Sequence, residues 1–312
     1  MENVKKEQRI AVKPKRKAKG FSMERQKEKW AYIFITIPLL YFFIFRIAPT
    51  LFSFFLSVMK WDLLSPKRVF VGLENFKIVL QNPAFRMAMV NTLEYVIISV
   101  PLMIAISLSI ALLLNSIAKG QGLFRMLVFI PYVTSTVAIS WVWKWMFMEN
   151  GGVINGLLRA VGLSAQPFLQ STTQAIYVVM SNIVWQNIGF NTIILLAGLM
   201  QISKSYYEAA EIDGASKWDQ FRHITVPQLN PTLVYVSVMG VIRTLQVFTQ
   251  VYNIAGAEGG PLNSTSSLVL EIYKAAFTSY KMGRASAMTV ILFIIILAIT
   301  IFQMKVLNRD ID

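Results

Sequence analysis

The 312-residue chain has no cysteine and one histidine, His223. Without thiols there is no disulfide framework, thiol nucleophile or cysteine metal site, and one imidazole excludes a paired-histidine zinc centre. Charge is scarce too: 15% of residues are charged against 55% hydrophobic, too apolar for an ordinary soluble domain. The phosphate-cradling Gly-x-x-x-x-Gly-Lys-Ser/Thr run and the Gly-x-Ser-x-Gly elbow are both missing, and Gly151-Gly152 and Gly259-Gly260 read as turns. The chain is therefore no enzyme by these routes and no ATPase of its own. Energy for any work it does must come from a partner.

What is present is six apolar blocks, at about Trp30 to Met59, Met89 to Leu114, Leu123 to Phe147, Ala175 to Ile202, Thr232 to Tyr252 and Ala285 to Met304. Each can cross a bilayer core, which takes roughly 20 helical residues. The first is too long for a cleaved signal peptide and no Ala-x-Ala-like site follows it, so it reads as a retained span. The expected fold is an all-α integral membrane protein with six transmembrane helices. It divides into a basic, disordered tail at 1–29, a first span with its outer connection at 30–88, and a core of five spans at 89–307.

The net charge of +14 is concentrated in that tail, where eleven Lys and Arg meet four Glu. A basic run directly before a membrane span fixes orientation and rests on anionic lipid rather than nucleic acid. With the amino end inside, the inner segments hold eighteen basic residues and the outer ones nine. That bias puts both termini in the cytoplasm. The outer segment 60–88, with Pro66 and Asn82-Pro83, has the spacing of a short surface helix, and segments 149–173 and 253–284 offer faces to a soluble partner.

Polarity inside the blocks is expensive, since an unpaired amide in hydrocarbon costs several kcal/mol. The fourth block nevertheless carries Asn182, Trp185, Gln186, Asn187 and Asn191, and the fifth carries Arg243, Gln246, Thr249, Gln250 and Tyr252. Their three- and four-residue spacing puts each set on one face. Such amides also serve as glue between membrane helices. Gathered with two aromatic rings, Trp185, Gln186, Asn187, Asn191, Arg243, Gln246, Gln250 and Tyr252 read as a substrate path suited to hydroxyl-rich sugars. Arg243, neutralised by Glu271 or a carbonyl, is structural; left alone, it favours polar or anionic substrates. Arg46, beside Ala48-Pro49, marks a bend in the first helix, and Lys144 snorkels among Trp141, Trp143 and Trp145. Glu94, near a block end, is the one carboxylate within the blocks, too few for an ion-coupled secondary transporter.

One polar, patterned loop, 203–227, lies between two of these blocks. Ser205 and Glu208, and again Ser216 and Asp219, have capping-box spacing and predict two helix starts. Asp213-Gly214 turns the chain between them, Pro227 ends the second helix, and Pro231 opens the next element. Ala209 and Ala210 give a smooth face, while Ile212, Trp218, Phe221 and Ile224 give an apolar one that fits a socket on another protein.

Glu208-Ala209-Ala210, Gly214 and Ile224-Thr225-Val226-Pro227 resemble the EAA signature of ABC importer permeases, with Val226 where the family more often has Leu. Asn91-Thr92-Leu93, Trp141-Val142-Trp143-Lys144, Gly151-Gly152-Val153-Ile154-Asn155 and Gln246-Val247-Phe248 before Gly259-Gly260-Pro261 are similar, in that order, to the carbohydrate-uptake branch, the maltose and glycerol-3-phosphate type. Ala257-Glu258 stands where that branch usually carries a Thr-Gly-like pair. The resemblance implies the type I importer permease fold with a cytoplasmic coupling helix, residues Glu208, Ala209, Ala210, Asp213, Gly214, Ala215, Phe221, Ile224 and Pro227 serving the docking to an ATPase. It implies a bacterial inner-membrane machine made of a second homologous permease, two ATPase chains that bind the ATP and magnesium, and an external solute-binding protein. This chain then needs no cofactor and moves sugars or oligosaccharides by alternating access. Glycerol phosphate esters or another polar solute are the neighbouring alternative.

Overall fold

The structure is a computed structural model that describes residues 20–65, 67–117 and 119–307. It divides into two compact units, Met1–Phe52 and Ser53–Asp312. The tail reading for residues 1–19 lies outside the described residues. Residues 20–29, read as part of that tail, are instead the first turns of helix α1 (Gly20–Phe42). Lys, Glu, Gln and Arg are good helix formers, and extending a helix that already exists avoids the cost of nucleating one.

After α1 comes a π turn, Phe43–Ile47, and then α2 (Ala48–Ser57). Arg46 sits inside that turn, where the sequence placed a bend. The wide turn has a cause in Pro49, which has no N–H for the carbonyl four residues back. Ala48 reaches five residues back instead, to Phe43 O.

The second unit takes in the end of α2 and then a hairpin, β1 (Met59–Trp61) against β2 (Arg68–Phe70), antiparallel with Lys60 opposite Val69. The short surface helix expected in 60–88 is α3 (Glu74–Gln81), and its buried Asn75 donates to Ser57 O and Met59 O, both at 2.9 Å. Then follow α4 (Pro83–Ser116), α5 (Gln121–Val133), α6 (Thr136–Met146), α7 (Val153–Ala160) and α8 (Ala175–Leu199). The chain continues through α9 (Lys204–Ile212), α10 (Lys217–Gln220), α11 (Val226–Leu245), α12 (Thr249–Ala255), α13 (Leu268–Tyr273) and α14 (Met282–Leu307).

Four helices among the described residues are long and apolar enough to span a membrane, and six if each of two bent pairs counts as one span. Those two pairs correct the expectation of simple rods. The block Leu123–Phe147 is α5 and α6, bent by 89° at Thr134-Ser135. The block Thr232–Tyr252 begins earlier, at Val226, and breaks after Leu245, with α12 turned by 48°. Backbone freed from a helix at membrane depth needs protein or a cavity around it.

In lipid there is little hydrophobic drive between helices, so close packing and short polar contacts hold the core. α4 against α8 is the broadest such contact: Ser107 Oγ donates to Ile188 O at 3.1 Å. Leu195, Leu196 and Leu229 close one end of the core with Ala111, and Tyr95, Val179, Val251 and Leu270 fill another part. Gly189 brings α8 onto α5, since a Cβ there would fall 2.1 Å from Val128 O.

Candidate functional site

Two features stand out, at different places on the second unit. The first is the 203–227 loop. Its α9 is capped by Ser203, whose side chain accepts from Ser205 N at 3.3 Å. The cap therefore lies two residues before the Ser205 expected for it. Glu208 is an exposed residue in the body of α9 rather than the partner in a capping box. The second start is as the spacing says: Ser216 Oγ accepts from Asp219 N, and the Asp219 carboxylate accepts from Ser216 N at 3.2 Å.

Between the two helices the chain reverses through Gly214, at φ +77°. Gly214 N–H donates to Glu211 O at 3.1 Å and Ala215 N–H to Ala210 O at 2.9 Å, so a Schellman motif satisfies the last carbonyls of α9. Asp213 is the C-cap. A salt bridge from Lys217 Nζ to Glu211 Oε1, 2.5 Å, crosses the turn. It lies wholly in solvent and holds the Glu211 carboxyl below its ordinary range; Asp219 is lowered by the Ser216 side chain and backbone.

Pro227 does not end the second helix. It lies at the start of α11, which runs on through Pro231 to Leu245. A π turn at Phe221–Thr225 takes up the missing N–H, with Val226 N bonded to Phe221 O, the same device that precedes Pro49. The turn carries Ile224, half-buried, and Thr225, buried.

The loop presents apolar side chains to solvent: Ile212 is 87% exposed and Trp218 66%, and Tyr206 in the same loop is exposed too. Trp218 stacks on Phe221 at 5.4 Å. Ala209 is exposed and Ala210 and Ala215 half-buried. The loop is tied down at its other side by Tyr207, whose hydroxyl lies 2.9 Å from Thr225 Oγ1, and by buried Gln220.

The second feature is a cavity of about 470 Å³ between α4, α5, α6, α8, α11 and α12. Six of the eight residues read as a path line it: Gln186, Asn187, Asn191, Arg243, Gln246 and Gln250. Trp185 and Tyr252 do not. Trp185 packs against Trp143 with the rings tilted by 38° and their centres 4.8 Å apart, and Tyr252 packs in an aromatic group with Phe248 and Tyr273. Both helix breaks border the cavity, through Tyr132 and Thr136 at the first and Gln246, Val247, Phe248 and Thr249 at the second. Gln186 joins the two breaks. Its Nε2 donates to Thr136 Oγ1 at 2.8 Å and its Oε1 accepts from Gln250 Nε2 at 3.3 Å.

Arg243 is the one charged residue on the cavity lining. Its guanidinium lies 4.5 Å from the Phe190 ring centre and 5.7 Å from that of Tyr132, and the two rings stack at 4.8 Å. Glu271, one partner considered for it, is engaged by Lys274 Nζ at 2.9 Å and by Ser266 Oγ at 2.8 Å. Lys144 lies over Trp141 at 4.9 Å. Tyr132, Phe190 and Phe248 are the aromatic rings that sequence reasoning missed; Tyr132 lies in a block that carried no amide signal, while Phe190 and Phe248 stand among the amides of the fourth and fifth blocks.

No group of metal-binding side chains occurs among the described residues. Comparison with known proteins gives these features a context. Residues 90–312 match the family model described as binding-protein-dependent transport system inner membrane component. The chain is 36% identical over 277 residues to the probable ABC transporter permease protein YesP of Bacillus subtilis, covering 88% of this chain and 89% of that one. It is 33% identical over 287 residues to the trehalose/maltose transport system permease protein MalF of Thermococcus litoralis, covering 91% and 95%. It is 35% identical over 259 residues to the lactose transport system permease protein LacF of Rhizobium radiobacter, covering 82% and 86%. In fold it matches a chain from the crystal structure of a bacterial ABC transporter that imports the acidic polysaccharide alginate, with TM-score 0.81 at 22% identity, covering 94% of this chain and 99% of that one. The chain thus belongs to the binding-protein-dependent transport system inner membrane components, and is an ABC transporter permease subunit with the type I permease fold.

Proposed function

We propose that this chain is one permease of a two-permease importer of sugars or oligosaccharides, worked by two ATPase chains and fed by an extracytoplasmic solute-binding protein. The observation that carries the reading is the cavity edged by two broken spans and lined with neutral amides and hydroxyls. Discontinuous helices at a binding site are the usual means of offering backbone and side-chain polar groups inside a membrane. Relatives whose names specify trehalose/maltose, lactose and arabinooligosaccharides support the substrate class.

In this reading the 203–227 loop faces the cytoplasm with both termini, as the excess of inner Lys and Arg favours. Glu208, Ala209, Ala210, Asp213, Gly214, Ala215, Phe221, Ile224 and Pro227 form or shape the surface that a cytoplasmic ATPase grips. ATP and magnesium belong to that partner. Its closure moves α9 and α10, and α11, continuous with α10 through the π turn, carries the motion to the second helix break. The cavity then opens to one side and the other in turn. Trp185 and Tyr252 act from outside the cavity, as supports for α8 and α12.

The test is reconstitution. The complex purified through this chain brings down an ATPase, and proteoliposomes holding it take up labelled oligosaccharide only with ATP inside and binding protein outside. Uptake by the chain alone, or driven by an ion gradient without nucleotide, overturns the reading.

A further inference from the structure

We infer that Arg243 makes the cavity selective for saccharides bearing an oxyanion, a uronate carboxylate or a phosphate ester, which docks on the guanidinium edge; this rests on the permease reading above. The argument begins with how the guanidinium is held. Phe190 and Tyr132 take it by cation–π contact, 4.5 and 5.7 Å from the ring centres. Such a contact attracts the charge but offers no lone pair to the five N–H donors of the guanidinium. Among the described residues no carboxylate or carbonyl accepts from them.

Carboxylates that could neutralise Arg243 are committed elsewhere. Glu271 is bound by Lys274 and Ser266, and Glu94 lines a different cavity with Met87, Thr173 and Tyr177. The cavity lining holds no Asp or Glu. Arg243 lies in the last turn of α11, where the helix dipole favours a cation. The dipole lowers the cost of keeping the charge there but accepts no hydrogen bond. A second donor on the same cavity lining is also unspent: Asn191 is 5% exposed, and its Nδ2 has no partner.

A neutral hydroxyl brings a donor along with its acceptor lone pairs, and no counter-charge. An oxyanion brings acceptors only, together with the missing charge, and the guanidinium fork matches carboxylate or phosphate oxygens in pairs. The remaining lining, Gln246, Asn187, Thr136 and Thr249 among it, suits the hydroxyls of the same molecule.

The experiment uses cells that lack the chromosomal copy and carry the full transporter with wild-type chain, Arg243→Gln or Arg243→Lys. Uptake is measured for three labelled probes: digalacturonate, glucose 6-phosphate and the neutral disaccharide galactobiose. The wild type is expected to take up an acidic probe, and which one tells carboxylate from phosphate. Arg243→Gln is expected to lower acidic uptake about tenfold more than neutral uptake, the loss typical of one charge-assisted pair. Arg243→Lys, which keeps the charge without the fork, falls between.

Equal effects on acidic and neutral probes in Arg243→Gln, or wild-type uptake of galactobiose alone, overturn the inference and leave the importer reading standing. Absence of any ATP-dependent saccharide uptake overturns the importer reading itself. If Arg243→Gln fails to reach the membrane, competition in the wild type decides: excess digalacturonate or glucose 6-phosphate suppresses galactobiose uptake if the site binds oxyanions, and failure of both to compete overturns the inference.

Discussion

The hydroxyl of Tyr207 and Thr225 Oγ1 lie 2.9 Å apart and join α9 to the π turn from which α11 springs. Thr225 is buried and Tyr207 half-buried, so the bond works where water competes little. A push on α9 therefore reaches α11 by two routes, through the chain and across this bond. Tyr207→Phe removes the second at a cost of about 1 kcal/mol. The complex should still assemble, but with more ATP hydrolysed per solute imported. An unchanged ratio, measured in proteoliposomes, would show that the bond carries no coupling.

Trp218 and Ile212 argue a different prediction. Each is a large apolar side chain left in solvent at 66% and 87% exposure, so removing either costs the fold little. Buried under a partner, the same side chains act as anchors, and an aromatic anchor is commonly worth 2 kcal/mol or more, roughly a thirtyfold change in affinity. Trp218→Ala should therefore weaken ATPase capture by about that factor while the thermal stability of the isolated chain barely moves. Equal capture by wild type and variant would place the docking face elsewhere.

Most of the loop was legible because its signals are local. Ser216 with Asp219 and Asp213-Gly214 each act within a few residues, and the structure has the box and the turn where the spacing put them. Ser203 was missed because three serine and lysine residues in a row, Ser203-Lys204-Ser205, offer competing caps, and the choice rests on where the preceding helix releases the chain. Pro227 misled because the rule that proline stops a helix assumes α geometry. A π turn beforehand removes the conflict, and nothing in Phe221-Arg222-His223-Ile224-Thr225 announces one. The break at Gln246-Val247-Phe248 was illegible for a similar reason: it contains no Gly or Pro. Ser267 Oγ donates to Val247 O at 2.6 Å, so a residue twenty positions away holds that stretch open. The aromatic rings of the cavity were misassigned because helical spacing ranks residues within one span, while Tyr132 is brought in by the 89° bend of another pair.

Gly189 gives a prediction about packing. A Cβ at this position would meet Val128 O at 2.1 Å and Phe129 Cα at 2.9 Å, both backbone atoms that cannot rotate away. α5 would have to move, and with it Tyr132 at the cavity. Overpacking of this kind typically costs about 1–3 kcal/mol. Gly189→Ala should lower the unfolding temperature in detergent and reduce transport more than Gly156→Ala, where a Cβ meets open space. Equal behaviour of the two variants would mean that the helices part without cost.

The loop's acid sensitivity follows from Glu211 and Asp219. Both carboxyls are held below their ordinary range, Glu211 chiefly by the Lys217 hydrogen bond and Asp219 chiefly by the Ser216 side chain. Folding the loop thus favours the deprotonated forms. The benefit is present above the ordinary carboxylate range, about pH 4, and disappears as pH falls through the lowered values. Hydrogen exchange at Ser216 to Gln220 should be flat, after correction for intrinsic rates, from pH 8 to about 5 and lose protection only below about 4. Loss of protection already well above about pH 5 would show that these two carboxyls are not what the loop's acid sensitivity rests on.

Gln186 is the remaining test, because it reaches both helix breaks at once. Its amide donates to Thr136 at the start of α6 and accepts from Gln250 in α12. The two spans can swing apart only if these bonds open, so they weight the equilibrium towards the state seen here. Gln186→Leu keeps the bulk and removes both bonds. Leaving their partners at a cavity that water can enter limits the loss to about 1–2 kcal/mol, a population shift of roughly tenfold. The variant should hydrolyse ATP several-fold faster without solute, with little further stimulation by loaded binding protein. Thr136→Val, which removes one of the two bonds, should lie between wild type and Gln186→Leu. If solute-free ATP hydrolysis is the same in all three, the amide serves only to line the cavity, and the swing is held by other contacts.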